Sequence, residues 1–196
     1  MLTSGVMSSV YKIETILNEE DIDTLNKVYD CLPLQIVKRY YNLFYLDKKD
    51  AANLNDYIKD DKLIKDWELI KQKFVSHVNL QPYAFYFLEY KEGSFCKAHT
   101  DNKLEVGLTT VTLIKKSDDL KGGEAVGYLP HWKSKLDVFD INRYTDGDEC
   151  NDGSTITPVV MTQQLGETLS YAHNFKHSVS LVERGTRRVF ICWFKK

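Results

Sequence analysis

In the stretch "FCKAHTDNKLEVGLTTVTLI", His99 and Asp101 stand two positions apart. On an extended strand positions i and i+2 face the same way, so one imidazole nitrogen and one carboxylate oxygen can reach a common point while Thr100 faces away. An isolated H-x-D is common, and Asp101 followed by Asn102 also suits a loop turn, so a third group is required. The distant stretch "GETLSYAHNFKHSVSLVERGTRRVFICWF" offers one in His177, which leads the strand-like "HSVSLV". Two imidazoles and one carboxylate form the facial set expected for non-haem Fe(II), which leaves coordination positions open for a chelating small molecule and oxygen. Groups so far apart in the chain must be brought together by separate strands, because local helix spacing cannot join them.

The elements available for that task divide near residue 80. Asn18 followed by Asp21 reads as an N-cap with an acidic first turn, Leu25, Val28 and Leu32 supply a helical stripe, and Pro33 stops it. A second helix is expected across "DDKLIKDWELIKQKFVSHVNL", where Leu63, Trp67, Ile70, Phe74 and Val78 recur at steps of three and four. From Pro82 the texture changes to β-branched and aromatic runs cut by Gly and Asp: "YAFYFLEY", "GLTTVTLI", "GGEAVGYL", "TPVVMT", "ETLSYA", "SVSLV" and "RRVFICWF". A helical preface over 1–80 followed by a β core over 83–196 predicts a sandwich or jelly roll with helices packed on one sheet. The polar, turn-rich segment 131–157 is long for a plain connection and is a candidate lid or binding loop.

Length and charge bound the possibilities. A chain of 196 residues fits one domain, and by size scaling it can bury roughly 70% of its unfolded surface. No repeat or linker divides it. Lys and Arg total 26 against 28 Asp and Glu, interspersed, which gives no support to a nucleic-acid-tracking surface. Cys31, Cys96, Cys150 and Cys192 form no C-x-x-C and read as free thiols of a reducing compartment. With no basic leader and no long apolar run, the expectation is a soluble cytoplasmic protein without a membrane partner.

Three blocks in order, "YKEGSFCKAHTDN", "LKGGEAVGYLP" and "LGETLSYAHNFKHSVSLVERGTRRVFICWF", resemble the Fe(II)/2-oxoglutarate-dependent oxygenases, and most closely their prolyl 4-hydroxylase-like branch. The likeness covers about residues 83–194, and "ILNEEDIDTLNKVY" resembles the helix that often precedes this core. It implies a mainly β fold with flanking helices: a double-stranded β-helix, the cupin-like jelly roll. It also implies that His99, Asp101 and His177 are the iron ligands, through which catalysis runs, and that Arg187 holds the distal carboxylate of 2-oxoglutarate. A guanidinium suits that task, since its planar fork of donors stays charged at any working pH. Tyr90 matches a tyrosine that commonly hydrogen-bonds the same cosubstrate. The cofactors implied are Fe(II), 2-oxoglutarate and O2, with ascorbate as a reductant.

Competing readings stand beside these. His173 and His177 form an i, i+4 pair, which on a helix would present a two-His metal face. Five residues between "LSYA" and "SVSLV" leave little room for a helix, and the Gly-x-Arg offset favours His177. Arg188 competes with Arg187. Strand parity puts only one of them inside, but both faces of "RVFICWF" are apolar, so only the family offset chooses Arg187. Tyr90 could be a plain wall residue. Gly122 and Gly123 read as a tight turn, "DGDECND" as a solvated loop, Cys96 as a buried inert thiol, and His131 with Trp132 as surface or entrance residues.

The resemblance implies hydroxylation of an unactivated C–H bond, with release of succinate and carbon dioxide. The favoured substrate is a prolyl or other side chain of a protein or peptide. Oxidative demethylation of a nucleobase, hydroxylation of a free amino acid or small metabolite, and a non-catalytic cupin-like binding module are the alternatives. Near-neutral charge disfavours the nucleobase, because backbone phosphates call for Lys and Arg.

Overall fold

The computed structural model describes residues 11–33, 36–38, 41–46, 54–101, 105–130 and 156–196. Most of the candidate lid at 131–157, with His131, Trp132, Cys150 and "DGDECND", lies outside these residues, as does Asn102.

Helix α1 (Glu19–Cys31) starts where Asn18 and Asp21 make a reciprocal capping box, each side chain bonding the other's backbone N–H. Helix α2 (Asp61–Val78) is capped by Asp60, whose carboxylate accepts from the N–H groups of Lys62 and Leu63. It ends at Asn79, which takes the left-handed conformation at φ 56°. Trp67, Ile70 and Phe74 form its buried stripe.

Both helices lie on one face of a large antiparallel sheet. The strands are β1 (Tyr11–Thr15), β2 (Ile36–Lys38), β3 (Tyr41–Leu46), β4 (Pro82–Lys91), β5 (Cys96–His99), β6 (Val106–Lys116), β7 (Lys121–Gly122), β8 (Ala125–Pro130), β9 (Ile156–Val160), β10 (Glu167–Ala172), β11 (His177–Val179), β12 (Val182–Arg184) and β13 (Thr186–Lys195). The large sheet runs β1-β10-β6-β13-β4-β3-β2, and a smaller sheet runs β5-β11-β8-β9. The short pair β12 and β7 forms a separate ladder; Gly122 lies on β7 opposite Val182, where the sequence suggested a tight turn, and Gly122 and Gly123 take φ of 77° and 73°. Each of the seven strand-like runs from Pro82 onward falls wholly or in part on a strand, with "GGEAVGYL" divided between β7 and β8 and "SVSLV" between β11 and β12. The stretch before residue 80 is not purely helical, because β1 closes one edge of the large sheet against β10 and β3 extends the other against β4.

The period of two along the central strands separates two cores. On β13, Arg188, Phe190, Cys192 and Phe194 face the helices, while Arg187, Val189, Ile191 and Trp193 face the small sheet. Phe85 and Phe87 join Trp67, Ile70 and Phe74 in the helix-side core. Tyr86 and Tyr90, on the same strand but of opposite parity, line the space between the sheets. That space holds the site.

Candidate functional site

The small sheet brings the two imidazoles together. His99 ends β5 and His177 opens β11, and in the antiparallel register the two are direct partners, so their side chains leave the same face. Their ring centroids are 4.4 Å apart. Asp101, two residues beyond β5, places Oδ1 3.6 Å from His99 Nε2 and Oδ2 4.0 Å from His177 Nε2. One donor atom from each of the three lies within 4.8 Å of the others, the one such cluster among the described residues.

Backbone carbonyls orient both rings. His99 Nδ1 donates to the Lys97 carbonyl at 2.8 Å, and His177 Nδ1 donates to the Phe175 carbonyl at 2.9 Å. A carbonyl only accepts, so each Nδ1 carries a proton and each Nε2 is turned toward Asp101. The carboxylate is fixed from behind by Thr109 on β6, whose hydroxyl donates to Oδ2 at 2.7 Å. The His99 pKa is pushed up to about 10, chiefly by its bond to Asp101 and then by Cys96. Burial works to raise the Asp101 carboxyl, but the bond from His99, the charge of His177 and the Thr109 hydroxyl bring it below its ordinary value. Burial lowers the His177 pKa, and with Nδ1 committed to the Phe175 carbonyl its Nε2 accepts from the Tyr171 hydroxyl at 3.1 Å.

These donors fit a small divalent cation. Ligands of one such ion stand roughly 3 Å apart when each bond is about 2.1 Å. Shifts of about 1 Å would close the two carboxylate–imidazole gaps, and the Nδ1 bonds already set the ring orientation such an ion requires.

Beside the cluster the two sheets enclose a cavity of about 320 Å³. Arg187 reaches into it, only 5% exposed, and Nη2 donates to Gln163 Oε1 at 3.2 Å. Gln163 cannot flip, because its amide nitrogen donates to the Val111 and Glu167 carbonyls at 2.8 and 2.9 Å. The guanidinium also lies 5.9 Å from the ring centroid of Tyr90, its cross-strand partner on β4. Among the described residues no carboxylate pairs with Arg187, and burial lowers its pKa. A buried cation held by neutral groups on the wall of a cavity is suited to an anion entering that cavity.

Arg188 points the other way. It bonds Glu89 at 2.7 Å, Asn26 at 2.9 Å and Asp30 at 3.3 Å, and its guanidinium lies 3.5 Å from the Tyr29 ring centroid. The helices, which parity alone could not take into account, decide between the two arginines. His173 is buried with Nδ1 facing the Gly107 carbonyl at 3.4 Å, away from the cluster. Cys96 is half-buried and lines the cavity, with Sγ 3.6 Å from His99 Nδ1, where the sequence suggested a buried, inert thiol. Sequence reading missed Thr109, Gln163 and Tyr171. A signal existed for Thr109 and Tyr171, polar residues on strands whose alternation places them inward. Gln163 lies in the irregular connection between β9 and β10 and carried none.

No protein-family model matches this chain, and no curated protein does. Solved structures do match in fold. A Pseudomonas putida prolyl-4-hydroxylase aligns at 12% identity over 95% of this chain and 92% of its own, with TM-score 0.57. A 2OG-Fe(II) oxygenase family oxidoreductase from Burkholderia pseudomallei aligns at 11% identity over 99% and 91%, with TM-score 0.61. HygX from Streptomyces hygroscopicus, with nickel and 2-oxoglutarate bound, aligns at 8% identity over 96% and 83%, with TM-score 0.59. The likeness the motifs carried is thus matched by the backbone: this chain has the jelly-roll fold of the prolyl-4-hydroxylase-like and 2OG-Fe(II) oxygenase structures.

Proposed function

We propose that this chain is an Fe(II)- and 2-oxoglutarate-dependent dioxygenase that hydroxylates a prolyl or other side chain of a protein or peptide, releasing succinate and carbon dioxide. One observation carries the reading: a three-donor cluster and a buried guanidinium that has no carboxylate partner among the described residues face the same cavity. His99, Asp101 and His177 would hold the metal, and Arg187, with Tyr90 beside it, the distal carboxylate of the cosubstrate. When bound, the iron and 2-oxoglutarate supply the oxidising power for attack on a C–H bond by oxygen, with ascorbate as reductant.

The chain's own residues do the rest. The Lys97 and Phe175 carbonyls hold the imidazoles with Nε2 toward the cluster, so no ring must turn when the metal enters. Thr109 keeps the Asp101 carboxylate in place. Gln163 sets the direction of the Arg187 fork while leaving its charge to be met by the cosubstrate. Leu88, Val111, Val189 and Ile191 wall the cavity with apolar surface and limit water around the reacting groups. His99, 42% exposed in its side chain, stands at the mouth, where a substrate side chain would arrive. The P. putida likeness supports a peptide substrate. The free thiols at Cys31, Cys96 and Cys192 support a reducing, cytoplasmic setting.

Succinate formation with Fe(II), ascorbate and 2-oxoglutarate, measured across peptide, nucleotide and amino-acid panels, tests the proposal. Turnover with proline-containing peptides, lost in His99→Ala and Asp101→Ala, is the expected result. Turnover confined to nucleotides or free amino acids would move the substrate class. No turnover on any panel would favour a binding module.

A further inference from the structure

We propose that the Tyr171 hydroxyl serves two acceptors in turn: His177 Nε2 in the metal-free protein, and an oxygen of the bound 2-oxo acid once a cation occupies the cluster. The inference rests on reading His99, Asp101 and His177 as a metal site.

Tyr171 lies on β10, 3% exposed in the cavity wall, and its hydroxyl donates to His177 Nε2 at 3.1 Å, the one hydrogen bond it makes among the described residues. His177 Nδ1 is already committed to the Phe175 carbonyl, so the acceptor is the lone pair on Nε2. A metal ion held by His177 needs that same lone pair. The two cannot be served together, so metal binding strips the phenol of its partner in a buried place, where an unpaired donor is costly.

The ring has little freedom to seek an acceptor elsewhere. It packs 4.5 Å from the His177 ring and 5.5 Å from the Phe175 ring, centroid to centroid. Arg187, in the same cavity, only donates. The Asp101 carboxylate, in the same cavity, already accepts from Thr109 and would be taken up by the cation, so the acceptor comes with the ligand, as a carboxylate or keto oxygen beside the cation, while Arg187 takes the other end of a dicarboxylate. Tyr171 would then oppose the metal alone and favour the metal together with the 2-oxo acid. That coupling makes the bindings mutually reinforcing.

Calorimetric titration of the full chain with Ni(II), followed by 2-oxoglutarate into the Ni(II)-loaded protein, tests this in wild type and Tyr171→Phe. In the variant, Ni(II) affinity should rise roughly three- to tenfold and 2-oxoglutarate affinity should fall roughly three- to tenfold, as expected for one hydrogen bond lost on each side. A merely structural role would weaken both together, and that result, or two unchanged constants, overturns the proposal. Wild-type protein that fails to bind Ni(II), or binds it equally well after His177→Ala, overturns the metal-site reading and this inference with it. Should Tyr171→Phe not fold, wild-type protein carrying Cζ-labelled tyrosine gives the same answer by NMR. The Tyr171 signal should shift on adding Zn(II) and again on adding 2-oxoglutarate, and a signal unmoved by Zn(II) overturns the proposal.

Discussion

Arg187 and Arg188 are neighbours in the chain with opposite surroundings, and their variants should separate binding from stability. Among the described residues Arg187 makes no ion pair and bonds only the neutral Gln163 amide, so Arg187→Ala should leave melting temperature near the wild-type value. It should weaken 2-oxoglutarate by roughly tenfold to a hundredfold, the range for a charge-assisted hydrogen-bonded contact. Arg188 is 5% exposed and ties β13 to Glu89 and to α1 through Asn26 and Asp30. Removing it leaves the buried Glu89 carboxylate short of its main partner, and breaking a buried pair costs about 3 kcal/mol or more. Arg188→Ala should therefore show a lowered melting temperature by calorimetry, with 2-oxoglutarate affinity unchanged in the protein that remains folded. If Arg188→Ala instead raised the 2-oxoglutarate requirement, the assignment of the two side chains would be reversed.

At the scale of elements, the site depends on β11 lying between β5 and β8. Gly127 on β8 pairs with His177, and a Cβ there would stand 2.4 Å from Phe175 Cζ and 3.1 Å from Met161 Sδ. Gly127→Ala should cost about 1–3 kcal/mol from overpacking. Because the displaced Phe175 carries the carbonyl that orients His177, metal affinity should fall as well, and a metal titration beside a melting curve would read both effects. A second contact ties β1 to the end of α2: Glu14 accepts from His77 at 3.0 Å and from Lys12 at 2.5 Å. Burial pushes the Glu14 carboxyl up, yet the bonds to Lys12 and His77 outweigh it and hold the pKa below the ordinary 4.5. A depressed carboxyl contributes stability that is present above the unfolded value and lost as pH falls through the lower folded value. Glu14→Gln should thus reduce the melting temperature at neutral pH by an amount worth less than about 1 kcal/mol. The gap to wild type should close on acidification below pH 4.5.

Over the whole molecule, the large sheet works as a partition, with helices and an aromatic core on one side and the cavity on the other. Trp67 is 1% exposed and meets Phe190 edge-on at 5.4 Å between centroids, entirely on the helix side. Trp67→Ala should cost about 3–5 kcal/mol, seen in denaturant unfolding. Metal and 2-oxoglutarate affinities should survive in the folded fraction, since no lining residue is touched. Among the described residues no helix is long and apolar enough to cross a membrane.

Local patterns determined much of this by themselves. The Asn18 cap, the Trp67, Ile70 and Phe74 stripe and the strand runs from Pro82 onward are written in neighbouring residues, because capping and side-chain periodicity act over a few positions. Asp101, by contrast, lies beyond the end of β5, with Thr100 also lining the cavity, and is held beside His99 by Thr109. The pairing of His177 with His99 was suggested by motif order, but its register is a property of β11 against β5. Which of two adjacent arginines enters the cavity was illegible along an apolar strand with two buried faces. Only the assembled structure, with Glu89 opposite Arg188 on β4 and Asp30, Asn26 and the Tyr29 ring on the docked α1, gave one face a place for a charge and left Arg187 to the other. Tyr171 and Gln163 belong to the same class, since hydrogen bonds between distant strands exist only after the sheets have closed.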